Sequence, residues 1–323
     1  MKRLQSINHE TNTQRKIMKK DLISMDDLTL DEIKDYLRVA HQVEKLSDDQ
    51  RYRLLPGKIM AAMFFEPSTR TRLSFEAAMH RLGGNVIGFA EQSATSVSKG
   101  ESFTDTIHTV ENYCDIMVIR HPGEGTARLA AQESVLPVIN AGDGSNQHPT
   151  QTLLDLYTIE KDLGHISDIT VAFVGDLKYS RTVHSLIRAL MKFDVRNFIL
   201  VAPESLRLPK YFMMTDQPDK YRFYETNHLE EAIPKCDILY MTRIQRERFP
   251  DLLEYEKVKD SYLLTAAMLA DAKPHMRVLH PLPRVNEIAY DVDKTRFAGY
   301  FPQARNGVIM RQAILLKHLG VEL

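Results

Sequence analysis

Several stretches of the 323-residue chain gather side chains suited to phosphate, carbonyl and carboxylate groups. The densest is Glu66-Pro67-Ser68-Thr69-Arg70-Thr71-Arg72, which follows the apolar run 58–65. Pro67 has no N–H for a ladder and ends a strand there. Ser68 and Thr69 are expected to supply N-cap hydroxyls to a helix over 71–81. Hydroxyls, backbone N–H groups and arginines at one helix N-terminus suit a phosphate. A capped helix with surface arginines fits the same residues equally well. Arg120 follows a strand expected over 115–119, and the carboxyl end of a parallel strand is where ligands sit. His148 and Gln151 flank Pro149, which fits the first turn of a helix over 149–163, and so share one face. Polar capping is the plainer explanation of that pair. Arg181 follows a strand over 169–174, and Arg243-Ile244-Gln245 lies in the charged run 242–248, which by itself reads as a solvated loop. Residues 278–285 carry Pro281 and Pro283, which excludes a regular helix.

The elements that must position these groups alternate. Strands are expected over 58–65, 85–89, 115–119 and 136–140, with helices over 31–46, 71–81, 102–113 and 149–163. After residue 163 the alternation begins afresh, with strands over 169–174, 197–202, 221–224 and 236–241. Residues 203–219 read as irregular, 92–101 as a loop, and 306–319 as an amphipathic helix. This order predicts an α/β chain of two domains, each a mainly parallel sheet flanked by helices. Val174-Gly175-Asp176 lacks the further glycines of a dinucleotide-binding turn, which speaks against a nicotinamide site.

Composition narrows the classes. Lys+Arg is 42 and Asp+Glu is 43, a net charge of −1, so nothing suggests a nucleic-acid surface. Cys114 and Cys236 are too few for a disulfide framework and fit reduced thiols of a cytoplasmic protein. No apolar run approaches the roughly 18 residues of a membrane span. No second His, Cys or carboxylate stands at metal spacing from His148, so no metal is expected. Residues 1–20 are basic and polar, with Glu10 the only acid. A transit peptide is conceivable, but the scarcity of apolar residues favours a disordered arm.

Ser68-Thr69-Arg70-Thr71-Arg72 resembles the carbamoyl-phosphate loop of the transcarbamoylases. Gln147-His148-Pro149-Thr150-Gln151, Arg243-Ile244-Gln245 and His280-Pro281-Leu282-Pro283-Arg284 resemble the aspartate carbamoyltransferase catalytic chains, and the likeness runs from about residue 18 to the C-terminus. It implies a flexible arm (1–17), a carbamoyl-phosphate-binding domain (18–150, completed by the C-terminal helix 300–323) and an aspartate-binding domain (151–299), with the active site in the cleft between them. The implied reaction moves the carbamoyl group of carbamoyl phosphate to L-aspartate, giving N-carbamoyl-L-aspartate and phosphate, the committed step of pyrimidine biosynthesis. Arg70, Thr71, Arg120 and His148 are the implied catalytic residues. Ser68, Thr69, Gln151, Leu282 and Pro283 complete the implied carbamoyl-phosphate set. Lys99, Arg181, Arg243 and Gln245 are implied for aspartate, with Ser96 and Lys99 donated by a neighbouring subunit.

The resemblance implies no cofactor and a homotrimer. His121-Pro122-Gly123-Glu124-Gly125-Thr126-Ala127-Arg128 resembles types that bind a zinc-containing regulatory chain. Lys99 and Pro281 argue against the ornithine enzymes, which lack that lysine and typically read His-Cys-Leu-Pro. Arg305 departs from relatives that often carry a smaller residue there. A carbamoyltransferase for ornithine or a related amine, and a non-catalytic paralogue, remain the alternatives. The first would need a different specificity loop, and the second is expected to have lost site residues.

Overall fold

The computed structural model describes residues 21–91, 100–214, 219–246, 249 and 251–323. The expected arm over 1–17, and Ser96 and Lys99 of the 92–101 loop, lie outside the described residues. The chain forms two compact units, one of Met1–Thr150 with Val308–Leu323, the other of Gln151–Gly307.

In the first unit, helix α1 (Leu30–Lys45) opens with a capping box in which Thr29 and Glu32 satisfy each other's backbone N–H groups. A short helix α2 (Asp48–Tyr52) has a second box from Ser47 and Gln50, in a stretch that reads from composition as a charged connector. Then follow β1 (Ile59–Phe64), α3 (Thr69–Arg81), β2 (Asn85–Phe89), α4 (Phe103–Val110), β3 (Ile116–His121), α5 (Thr126–Glu133) and β4 (Val138–Asp143). The strands lie parallel in the order β2-β1-β3-β4. Met60 to Phe64 are fully buried because apolar side chains point to both faces of a parallel strand. Gly88, at φ 145°, leaves room for β1: a Cβ there would lie 2.1 Å from the Ala62 carbonyl oxygen. Helix α5 has no expectation from the sequence, because its N-cap is Gly125 in the left-handed region with no side chain to announce it.

In the second unit, most of helix α6 (Pro149–Leu163) is followed by β5 (Thr170–Val174), α7 (Arg181–Lys192), β6 (Asn197–Val201), β7 (Arg222–Thr226), α8 (Leu229–Ala232), β8 (Ile238–Met241), α9 (Leu252–Val258) and β9 (Arg277–Leu279). These strands are parallel in the order β7-β6-β5-β8-β9. Val183, Leu186, Ile187 and Leu190 are buried along α7, three or four residues apart as one helical face requires. Two short 3-10 turns, Glu204–Leu206 and Lys210–Phe212, break up the stretch expected to be irregular. The final helix α10 (Tyr300–His318) starts six residues before the expected Asn306. Pro302 does not delay it, because first-turn N–H groups have no intrahelical partner. No helix among the described residues is long and apolar enough to cross a membrane.

Candidate active site

Both sheets present their chemistry-bearing residues at the carboxyl ends of neighbouring strands, as parallel α/β sheets do. In the first unit β1 leads into Ser68, Thr69, Arg70 and Thr71, β3 carries Arg120, and β4 leads into His148. Phe64 pairs with Arg120 in the β1–β3 register, and the N–H of Phe65 donates to the Arg120 carbonyl at 2.8 Å. The Arg120 guanidinium donates to the Ala141 carbonyl at 3.3 Å and pairs with Glu66 at 2.5 Å. Three strand ends thus fix one arginine, which sits inside β3 rather than just beyond it.

The helix start at Ser68 differs from expectation in one respect. Ser68 is the N-cap residue, but its hydroxyl makes no capping hydrogen bond, and Thr69 is already helical. The first-turn N–H groups of α3 therefore take no bond from the N-cap side chain, which is the arrangement an oxyanion uses. Thr71 is buried there, whereas Arg70 is exposed.

His148 is buried, with Nδ1 3.4 Å from the Thr150 hydroxyl. The loop before it is held by Asp143, which the sequence reading did not single out. Its Oδ1 accepts from Asn140 Nδ2 at 2.9 Å and the Gln147 N–H at 3.1 Å. Its Oδ2 accepts from the Gly125 N–H and Asn146 Nδ2, both at 3.0 Å. Such clustered acceptance suits a carboxylate and fixes the backbone that delivers His148. His121 accepts the Gly123 N–H at 2.8 Å, and burial lowers its pKa.

In the second unit the adjacent strands β5, β8 and β9 end in three loops. Past β5, an added Cβ on Gly175 (φ 111°) would lie 2.3 Å from the Thr242 carbonyl oxygen, so only glycine lets these strand ends close up. The Tyr179 N–H donates to Asp176 Oδ1 at 2.9 Å, and the chain enters α7 at the buried Arg181. Past β8 come Arg243 and Gln245, both half-buried. His184 meets the Leu177 carbonyl at 2.8 Å and stacks on Phe212, and burial lowers its pKa to about 4.

Past β9 lies the turn His280-Pro281-Leu282-Pro283-Arg284. Leu282 has φ 55°, costly for a branched residue, and the Leu282–Pro283 peptide is cis. The turn is braced on every side. The Leu282 N–H donates to His280 Nδ1 at 2.7 Å, so the ring proton sits on Nε2, which donates to Glu287 at 2.7 Å. The other Glu287 oxygen accepts from the N–H groups of Val285 and Asn286, both at 3.1 Å. Arg284 forks onto Asp293. Burial opposes the charge on Glu287, but these hydrogen bonds outweigh it and lower its pKa. Glu287 and Asp293 were not read as site residues from the sequence.

Known proteins locate the chain. Residues 20–161 match the carbamoyl-P binding domain of the Aspartate/ornithine carbamoyltransferase family, and residues 167–317 match its Asp/Orn binding domain. The aspartate carbamoyltransferase catalytic subunit of Thermococcus kodakarensis is 57% identical over 303 residues, 94% of this chain and 97% of that protein. The solved catalytic subunit of M. jannaschii aspartate transcarbamoylase is similar at a TM-score of 0.86 and 52% identity, covering 93% of this chain and 98% of that one. Aspartate transcarbamoylase from Trypanosoma cruzi, solved with carbamoyl phosphate and aspartate, is similar at a TM-score of 0.85 and 38% identity, covering 94% and 96%. The chain therefore belongs to the aspartate/ornithine carbamoyltransferase family, among its aspartate carbamoyltransferase catalytic chains.

Proposed function

We infer that this chain transfers the carbamoyl group of carbamoyl phosphate to the amino group of L-aspartate, releasing phosphate. The observation that carries the reading is the pair of arginines past neighbouring strands of one sheet, Arg181 after β5 and Arg243 after β8. Two planar cations suit a dicarboxylate. Gln245 would take the amino end of that substrate.

The phosphate group is assigned to the first unit (Met1–Thr150 with Val308–Leu323), and aspartate, with the carbamoyl NH₂, to the second (Gln151–Gly307). Ser68, Thr69, Arg70 and Thr71 offer hydroxyls, N–H groups and a cation to the phosphate. As the amine attacks, the carbonyl oxygen gains negative charge, which Thr71, Arg120 and His148 stabilise. Gln151 and the Leu282 carbonyl hold the carbamoyl NH₂, with Pro283 shaping that turn. The leaving phosphate accepts the amine proton, so no side-chain base is needed. Holding two substrates in line supplies much of the rate.

Ser96 and Lys99 are assigned to a neighbouring subunit's site in a homotrimer, on resemblance alone. The same likeness supports a cytoplasmic enzyme of pyrimidine biosynthesis and a regulatory chain at residues 121–128. N-(phosphonacetyl)-L-aspartic acid, bound in one of the T. cruzi structures, joins a phosphate mimic to a dicarboxylate. Calorimetric titration of this protein with it should show one tight site per chain. Absence of binding would overturn the assignment.

A further inference from the structure

Asp155 lies one helical turn beyond Gln151 on α6 and is 0% exposed. Its Oδ1 accepts from Gln151 Nε2 at 2.9 Å and from Gln303 Nε2 at 2.6 Å. Its Oδ2 accepts from the Tyr240 hydroxyl at 2.8 Å. Gln303 in turn takes the backbone N–H of His280 on its Oε1 at 2.9 Å. The four side chains come from α6, β8 and α10, and all belong to the second unit.

The two ends of a glutamine amide are nearly alike in shape, so its neighbours decide which way round it sits. Both Asp155 oxygens act as acceptors, for the two amides and the Tyr240 hydroxyl. Both glutamines must therefore turn their NH₂ groups to Asp155. The His280 N–H requires an acceptor and fixes Gln303 the same way round by an independent route. With its nitrogen committed to Asp155, Gln151 directs its oxygen elsewhere. A carbamoyl NH₂ is a donor and needs such an oxygen. A reversed amide would meet it donor to donor.

We propose that Asp155 is a positioning residue that fixes the orientation of the Gln151 amide, and through Gln303 ties that amide to the backbone of the His280–Arg284 turn. This rests on the reading that Gln151 holds the carbamoyl NH₂. One buried carboxylate then sets the Gln151 oxygen as an acceptor for that group, while Gln303 keeps its orientation from the His280 N–H.

The test is a double-mutant cycle on the full-length enzyme, with KM for carbamoyl phosphate as the readout and thermal unfolding as the check on folding. Asp155→Leu removes the acceptor at similar size and should raise KM about tenfold or more, the effect of losing one hydrogen bond of about 1.4 kcal/mol. Asp155→Asn should stay within about twofold of wild type. Its oxygen can take both amides, and the Tyr240 hydroxyl, which also has Thr182 beside it, can accept from the new NH₂. In a Gln151→Ala background Asp155→Leu should cost no more than about twofold, because the amide it orients is gone.

Equal losses in both backgrounds would reduce Asp155 to a structural residue and overturn the proposal. If Gln151→Ala itself leaves KM unchanged, the carbamoyl-binding reading falls and takes the proposal with it. Should Asp155→Leu not fold, Gln151→Glu serves in its place. It sets two carboxylates against each other that must share one proton. Its kcat/KM relative to wild type should fall at least tenfold as pH rises from about 6 to about 9. A ratio independent of pH would overturn the proposal.

Discussion

Replacing Glu287 by Gln removes one negative charge and one acceptor from a buried pair. The side chains of His280 and Glu287 are 1% and 7% exposed, so solvent cannot make good the loss. Glu287 now serves donors on both oxygens: His280 Nε2 on one, the Val285 and Asn286 N–H groups on the other. A glutamine has one acceptor oxygen and would turn an NH₂ towards one of these sets. Tautomerisation of His280 offers no escape, because moving its proton to Nδ1 deprives the Leu282 N–H of its acceptor. Every arrangement leaves a donor facing a donor in a buried place, at about 1–3 kcal/mol. For a unit of this size that is about 2–4 °C per kcal/mol, so Tm should fall by about 6 °C.

If the lost partner is the Leu282 N–H, the adjoining carbonyl shifts as well. KM for carbamoyl phosphate should then rise about 5- to 30-fold, equivalent to about 1–2 kcal/mol. The pH dependence has a definite sign. The Glu287 carboxyl is held below its ordinary value of 4.5, so its stabilisation is complete above that value. It fades as pH falls through the lower folded value, and Glu287→Gln should abolish that acid limb. Scanning calorimetry from about pH 7 down to about pH 3 and steady-state kinetics read all three effects. A variant with wild-type Tm and wild-type KM would refute the reasoning.

His148→Ala should lower kcat about 10²- to 10³-fold, the usual effect of losing one oxyanion donor, while the unfolding profile is retained. A wild-type kcat would remove His148 from the mechanism. Arg243→Ala should weaken aspartate binding and leave carbamoyl phosphate affinity nearly intact, because Arg243 is assigned to a carboxylate of aspartate and to no group of carbamoyl phosphate. Equilibrium binding of each ligand checks this, and equal losses would contradict the division.

The strands other than β9, and their parallel sense, were legible because the apolar runs are short, unbroken and separated by helix-period segments. The run of Ser68 to Arg72 and the turn at His280 were legible because their residues are contiguous. What supports them was not. Asp143 draws on Gly125, and Asp155 on Tyr240 and Gln303, across 18, 85 and 148 residues, distances at which one sequence gives no pairing signal. The i,i+4 spacing of Gln151 and Asp155 was the one local clue. Ser68 misled in a different way. Its type and place match an N-cap, yet its hydroxyl does not cap, and the side-chain geometry that decides this is set by the fold. Helix α5 starts at a glycine, which announces a turn as readily as a cap.

Phosphate release from carbamoyl phosphate with L-aspartate or L-ornithine as acceptor, with the carbamoylated product identified by mass, decides which amine is the substrate. Steady turnover to N-carbamoyl-L-aspartate and negligible turnover with ornithine are expected. Preference for ornithine, or no turnover with either amine, would contradict the assignment of aspartate.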